Sequence, residues 1–501
     1  MTKLDKLKED FYKLRDPKIG EERILKKLAP LEKNLKKYLS RWLALSREAK
    51  EVYPSQGLLL TPYDRLSVSG FRTLKKSRLL KTLRHRMFFL EMFNHSYRIH
   101  FLDKVNKRVF KSPKKVECRA LTTAFNSGLS LSIRDIGSIV NGSQKARISR
   151  TERYGAGPFV KLGRQGRALF TGSANPDVWG TSTALATMAA CHCLATIPRN
   201  GLMYNLKRQS EVAHEAFEIL EELREVILKD RPEESTILKY WRGNVAGVLE
   251  PEPEKALTRA SALFKTGVKA FRIYSPEPGI GPIITVKALR KEFRDTIEIF
   301  AGQIVDVTQA KRTEEVGADG IFVGIGGGGR CTTGVRSGTV IDWPELVWRL
   351  RGEIKIPVVV EGGASDHAAT TLLLGGSGIS VSRIAAGGTI ESPGGILYCV
   401  GKSGKLFKPY GGEASARAKF AEGKMLPFGI PSFVEGETTR SEVSYFKSEQ
   451  PTLAYNLHLL TEDAILALVF RGVKNVYDLH DLDPLPLRHV TALGRYQIYT
   501  H

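Results

Sequence analysis

From residue 168 to residue 382 the chain repeats one unit eight times, a short apolar run followed by a longer stretch with helical periodicity. The apolar runs are "ALFTG" (168–172), "LATIP" (194–198), "NVAGVL" (244–249), "AFRIY" (270–274), "IEIFA" (297–301), "GIFVG" (320–324), "PVVVE" (357–361) and "GISVS" (378–382). Between them lie helix-like stretches such as "SEVAHEAFEILEELREVIL", "PEKALTRASALFKTG" and "HAATTLLLGG". Continuous apolar strands alternating with amphipathic helices call for a parallel sheet covered on both faces. Eight such units favour closure into an α/β (β/α)8 barrel over an open sheet, and closure places any chemistry at the C-terminal ends of the strands.

The sixth of those ends reads "GIGGGGRCTTG". Gly324, Gly326 and Gly329 satisfy a dinucleotide-binding GxGxxG spacing, but that fingerprint opens a helix in the first unit of a Rossmann domain, and here it is sixth and leads into "RCTTGVRSG". A glycine run instead lets backbone groups approach a ligand or ion closely. It would expose Cys331 at the barrel mouth, with Arg330 as a cation to favour the thiolate. The bland alternative is an inert buried thiol.

Charge is uneven. Residues 1–120 carry 31 Lys and Arg against 13 Asp and Glu, so +18 of the total +23 lies there. This segment reads as helical: Leu4, Leu7, Phe11 and Leu14 form one stripe, and Leu31, Leu35, Leu39 and Trp42 another. The stretch 71–90 holds seven Lys or Arg and no acid. It suits RNA, DNA or another anionic partner, or equally a solvated face of a helix packed on the main domain. The expected division is a basic, mostly helical extension over 1–125 and the barrel with its appendages over 126–501. No apolar run approaches the roughly 18–20 residues of a membrane span. Five cysteines are too few for a disulfide framework, which implies a reducing compartment, the cytoplasm or an organelle matrix. Cys191, His192 and Cys193 invite a metal reading, but no second ligand pair accompanies them.

The motif "VGIGGGGRCTTG" resembles the catalytic loop of the inosine monophosphate dehydrogenase and guanosine monophosphate reductase family. The likeness extends through "AGQIVDVTQAKRTEEVGADGIFVG", "VVVEGGASDHAATTLLLGGSGISVSRIAAGGTIESPGG" and "GKSGKLFKPYGGEAS", with weaker matches at "DIGSIV" and "LRHVTALG". The resemblance implies a purine nucleotide oxidoreductase in which Cys331 bonds purine carbon 2, Thr333 activates water or ammonia, and hydride passes to or from NAD or NADP. It implies Glu435 as a further catalytic residue and a substrate site of Gly329, Glu361, Gly362, Gly363, Arg383, Tyr410, Gly412 and Glu413. Tyr274, Ser275 and Gly324 would meet the cofactor. Carbonyls of Gly326, Gly328 and Cys331 would hold potassium. A homotetramer is implied as well.

The sequence departs from the family at binding positions. Glu361 replaces the aspartate that bonds the ribose, Arg383-Ile384 replaces a glycine–serine phosphate ligand pair, Gly329 replaces a serine, and Tyr274 replaces an aspartate at the cofactor. Only about 15 residues separate the second helix from the third strand, so the regulatory (CBS) module often inserted there is absent. These departures keep open a second reading, a relative with reduced or lost catalysis that acts as a structural or nucleic-acid-associated protein through its basic extension.

Overall fold

The computed structural model describes residues 76–119, 121, 131–132, 148–275, 279–325, 331, 333–338, 341, 343–364, 368–389, 391–392, 398–399, 406–413, 415–422, 425–426, 430–431, 438–442 and 452–489. Its centre is a sheet of eight parallel strands: β1 (Phe170–Gly172), β2 (Ala195–Ile197), β3 (Val245–Leu249), β4 (Ala270–Tyr274), β5 (Glu298–Ile304), β6 (Gly320–Val323), β7 (Val358–Val360) and β8 (Gly378–Val381). Each lies within one of the eight apolar runs or extends it by a few residues. Neighbours pair in sequence order, and β8 returns to β1 with Ile379 opposite Phe170. Closure is completed by a parallel bridge between Thr171 and Leu194, where Gly172 N donates to Leu194 O (2.8 Å) and Leu194 N to Phe170 O (3.1 Å). The expected (β/α)8 barrel is therefore formed. Nearly every residue of the eight strands is buried, which is why the strands read as unbroken apolar runs rather than alternating ones.

The N-terminal end of the barrel is plugged by a hairpin, Phe159–Leu162 against Gln165–Ala168. Arg167 is fully buried beneath it. Its guanidinium meets Glu298 at the start of β5 (Nη1 to Oε1, 2.8 Å), Asn244 Oδ1 (2.9 Å) and the carbonyl of Gly243 (2.7 Å). Those partners satisfy a charge that would otherwise be costly to bury. The connection from β2 to β3 runs through helix Leu206–Leu223, a π-helical turn Arg224–Leu228 and helix Glu234–Gly243, with no inserted module.

Helices α1 (Lys76–Phe93) and α2 (Ser96–Asn106) come from the segment expected to form a basic appendage, yet they belong to the barrel body. Leu90, Phe93, Tyr97 and Leu102 are buried, as are Arg86 and Arg98. Asn94 between the helices bonds the carbonyl of Ala190 (3.0 Å) and accepts from Trp241 Nε1 (2.8 Å). Arg98 has no hydrogen-bond partner for its guanidinium and lies instead over the rings of Phe93, Tyr154 and Phe159 at 4.5, 4.6 and 5.2 Å. The chain then crosses the barrel wall in extended form, held by Arg351 Nε on the carbonyl of Lys114 (2.7 Å) and Trp348 Nε1 on that of Val116 (3.2 Å). Of this segment, the packed reading holds for the side chains from His85 to Val105. Residues 1–75 lie outside the described residues.

Among the described residues one helix, Leu453–Phe470, is long and apolar enough by length and composition to cross a membrane. Glu462 and Asp463 interrupt it, and Leu453, Leu457, Leu460, Ala464 and Leu468 are buried where it packs on α1 and the barrel helices. It is a core helix of this fold.

Candidate active site

Cys331 is exposed, the one such cysteine among Cys118, Cys191, Cys193 and Cys331. Its sulfur lies 3.2 Å from the Thr333 hydroxyl, and Thr333 opens the short helix Thr333–Ser337. The chain reaches this pair from the end of β6 through Gly324, whose φ is +114°. A Cβ there would come within 2.4 Å of the Glu361 carbonyl oxygen, so only glycine lets the ends of β6 and β7 approach this closely. Gly324 thus serves the packing of the rim, and the glycine–cysteine loop leaves the barrel beside the turn that follows β7.

That turn is Glu361-Gly362-Gly363, with φ of +73° and +86° at its two glycines. Two successive left-handed residues carry the chain back over the rim, a conformation that side chains resist. Glu361 itself is not free for a ligand in the manner the resemblance implies. Its Oε2 pairs with Arg272 Nη2 (2.5 Å) and also accepts from Gln303 Nε2, while Oε1 accepts from Ser380 Oγ (2.7 Å). The extra methylene relative to aspartate lets the carboxylate reach down into the barrel, and three of its roughly four acceptor positions are occupied. Arg272 is fully buried on β4 and stacks 3.9 Å from the Phe322 ring and 5.1 Å from that of Tyr274. Sequence reading passed over Arg272, Gln303 and Ser380. The signal was present: Arg272 is the one charge in the apolar strand "AFRIY", and a charge in a doubly covered strand must find a partner.

Across the rim, Tyr410 and Arg383 are brought together. Tyr410 is 4% exposed, and its hydroxyl accepts from Asn175 Nδ2 (3.2 Å) and bonds the Ser382 side chain, with the Arg383 charge nearby. Burial pushes the Tyr410 hydroxyl above its ordinary range. The strand Leu406–Gly411 is anchored to the loop after β1: Asn175 Nδ2 donates to Gly411 O (3.1 Å), and Gly411 N donates to Asp177 Oδ2 (2.7 Å). Asn175 and Asp177 are further rim residues that sequence reading missed. Gly412 is half-buried and turns the chain toward Glu413, its carbonyl accepting from Ser415 N at 3.0 Å.

Glu413 is half-buried and accepts from Asn200 Nδ2 at 2.5 Å. Burial, opposed by Arg199 and Arg272 and assisted by Glu361, pushes its carboxyl up to about 7. Arg199 Nη2 donates to the Tyr274 carbonyl (3.1 Å), so the loop after β2 and the end of β4 converge on this carboxyl. Burial also raises the Tyr274 hydroxyl well above its usual range, with Glu413 and Glu361 contributing.

For a nicotinamide cofactor, Tyr274 offers a half-buried aromatic face at the mouth. Ser275 fits less well: it is buried, its N–H bonds Gly302 O (2.8 Å) and its carbonyl accepts from Gln303 N (2.9 Å), so its backbone is committed to joining β4 to β5. The remaining expected residues, Glu435, Gly326, Gly328 and Gly329, lie outside the described residues. Cys191, His192 and Cys193 are all buried. Burial drives His192 down to about 3 and Cys193 up to about 12, as neutral core groups. Among the described residues no group of three or more His, Cys, Asp or Glu could hold a metal.

Comparison with known proteins agrees with this geometry. The family model described as "IMP dehydrogenase / GMP reductase domain" matches residues 144–485. Similar curated proteins include the inosine-5'-monophosphate dehydrogenase of Aquifex aeolicus, 28% identical over 196 residues (36% of this chain, 39% of the relative). That of Helicobacter pylori is 27% identical over 257 residues (49% and 50%). That of Nitrosopumilus maritimus is 36% identical over 141 residues (27% and 29%). The alignments thus take in half or less of each of these relatives. With well over half of its 501 residues matched and a closed eight-stranded barrel carrying the glycine–cysteine loop on its rim, this chain belongs to the IMP dehydrogenase / GMP reductase domain family.

Proposed function

We propose that the barrel mouth binds a purine nucleoside monophosphate and catalyses oxidoreduction at purine carbon 2 through Cys331. The observation that carries this reading is the exposed Cys331 thiol, hydrogen-bonded to Thr333, on a loop that leaves the rim beside Glu361. A sulfur nucleophile needs access to solvent and a nearby group to order the attacking water or ammonia. Cys331 Sγ forms the bond to carbon 2 as hydride leaves it in the dehydrogenase direction, or ammonia in the reductase direction. That bond breaks again when water or hydride, respectively, takes the place of sulfur. Thr333 holds the incoming or leaving small molecule. Gly362 and Gly363 turn their backbone toward the phosphate, with Arg383 and Tyr410 on its other side. A bound NAD or NADP supplies the hydride acceptor or donor, with Tyr274 against it.

Purified protein should change nicotinamide absorbance with inosine monophosphate plus NAD or with guanosine monophosphate plus NADPH, and Cys331→Ala should abolish it. No turnover with either pair sinks the reading. One observation favours the second reading, a relative with reduced catalysis: Glu361, the expected ribose ligand, is held by Arg272, Gln303 and Ser380. That reading expects reduced or absent turnover, and RNA or DNA binding that falls steeply with salt and is lost when residues 1–120 are removed.

A further inference from the structure

Two carboxyl groups meet at the mouth, and the protein treats them differently. Glu361 is held by three donors, one of them a guanidinium. Glu413 receives one neutral donor, Asn200 Nδ2, on Oε1, and has no ion pair. The cations around it are engaged elsewhere. Arg272 pairs with Glu361, Arg199 donates to the Tyr274 carbonyl, and Lys419 lies 3.5 Å from Glu422, which in turn accepts from Gly201 N (2.9 Å). Glu413 therefore has a second oxygen, Oε2, with no partner among the described residues, on a half-buried side chain.

We propose that Glu413 is a proton-transfer residue of this site, its Oε2 carrying a proton to a ring nitrogen of the bound purine and taking it back. This rests on the nucleotide reading above and deepens it. Addition of the Cys331 thiolate to carbon 2 forms the S–C bond and moves the pair of the adjacent C=N bond onto nitrogen. A carboxylic acid beside that nitrogen supplies the proton, and its own O–H pair stays behind as carboxylate. The proton returns when the C=N bond is restored, so the carboxyl is regenerated and nothing else is consumed. The surroundings fit a group that must be neutral at one moment and charged at the next. Burial and the Glu361 charge favour the acid, and the Arg199, Arg272 and Lys419 charges stabilise the carboxylate. The balance leaves it poised near neutrality, where acid–base catalysis is most effective.

The test uses the full chain and Glu413→Gln, with inosine and guanosine monophosphate as probes. Calorimetric binding between about pH 6 and pH 8 reads protonation in the ground state. Affinity in the unaltered protein should fall as pH rises through about 7, while Glu413→Gln, permanently neutral, should keep the low-pH affinity across the range. Turnover should drop about a hundredfold in Glu413→Gln, with KM little changed, and the falling alkaline limb of kcat should vanish. An infrared protonated-carboxyl band that titrates near neutrality and is missing from Glu413→Gln gives a readout independent of turnover. Turnover that Cys331→Ala abolishes but Glu413→Gln leaves unchanged, with the same pH profile, overturns this proposal alone. Absence of nucleotide binding at every pH overturns the nucleotide reading and this proposal with it.

Discussion

The charge on Arg272 decides where Glu361 points. A guanidinium buried on β4 can be tolerated only with a partner, and the glutamate side chain is long enough to supply it from the end of β7. Arg272→Leu should destabilise the protein by about 3–5 kcal/mol, because it leaves a largely buried carboxylate with only two neutral donors. Urea unfolding of that variant and of the Arg272→Leu, Glu361→Leu double variant checks this, the double variant being expected to recover most of the loss. Arg98 makes the opposite case. It has aromatic faces but no hydrogen bonds, and burial lowers its basicity. Arg98→Met should therefore leave the melting temperature unchanged or raise it; a loss of more than about 2 kcal/mol would contradict this account. Cys331 should be alkylated far faster than Cys118, Cys191 and Cys193, as mass spectrometry of the labelled native protein would show. The exposure of the Cys331 thiol was legible from its glycine neighbours. The fate of Glu361 was not, because its partner lies 89 residues away in sequence.

At the scale of elements, all eight strands were readable because a strand covered on both faces must be apolar throughout. The joint between β6 and β7 is the most constrained part of the rim. Gly324→Ala adds a Cβ 2.4 Å from a backbone oxygen at a positive φ, so it should cost at least about 2–3 kcal/mol and loosen the glycine–cysteine loop. Thermal unfolding with Cys331 alkylation rates would report both effects. Helices α1 and α2 were harder to place. The seven basic residues in 71–90 suited an anionic partner or a helix packed on the main domain equally, because periodicity says only that a helix has an apolar side, not what covers it. Here the barrel wall covers it, with Asn94 bonded to both Ala190 and Trp241.

At the scale of the molecule, burial of neutral histidines ties stability to pH. His192 and His480 are both held down to about 3, below the ordinary value near 6.5. As pH falls below about 6.5 the unfolded chain takes up protons that the native fold refuses, so stability is lost on acidification; each histidine contributes roughly 2 kcal/mol of that loss by pH 5. Glu413 works the other way between its ordinary range and about 7, since the native state binds the extra proton there. The urea midpoint should fall between pH 7 and pH 5, less steeply in His480→Gln and more steeply in Glu413→Gln. The sequence by itself determined the barrel, the order of its strands and the rim on which Cys331 is displayed, because apolar periodicity and glycine runs are local properties of the chain. Only the tertiary structure decided which charges meet inside that rim, Arg272 with Glu361 and Asn200 with Glu413, and which basic helices become wall, because burial and pairing depend on residues that closure of the barrel brings together from distant parts of the chain.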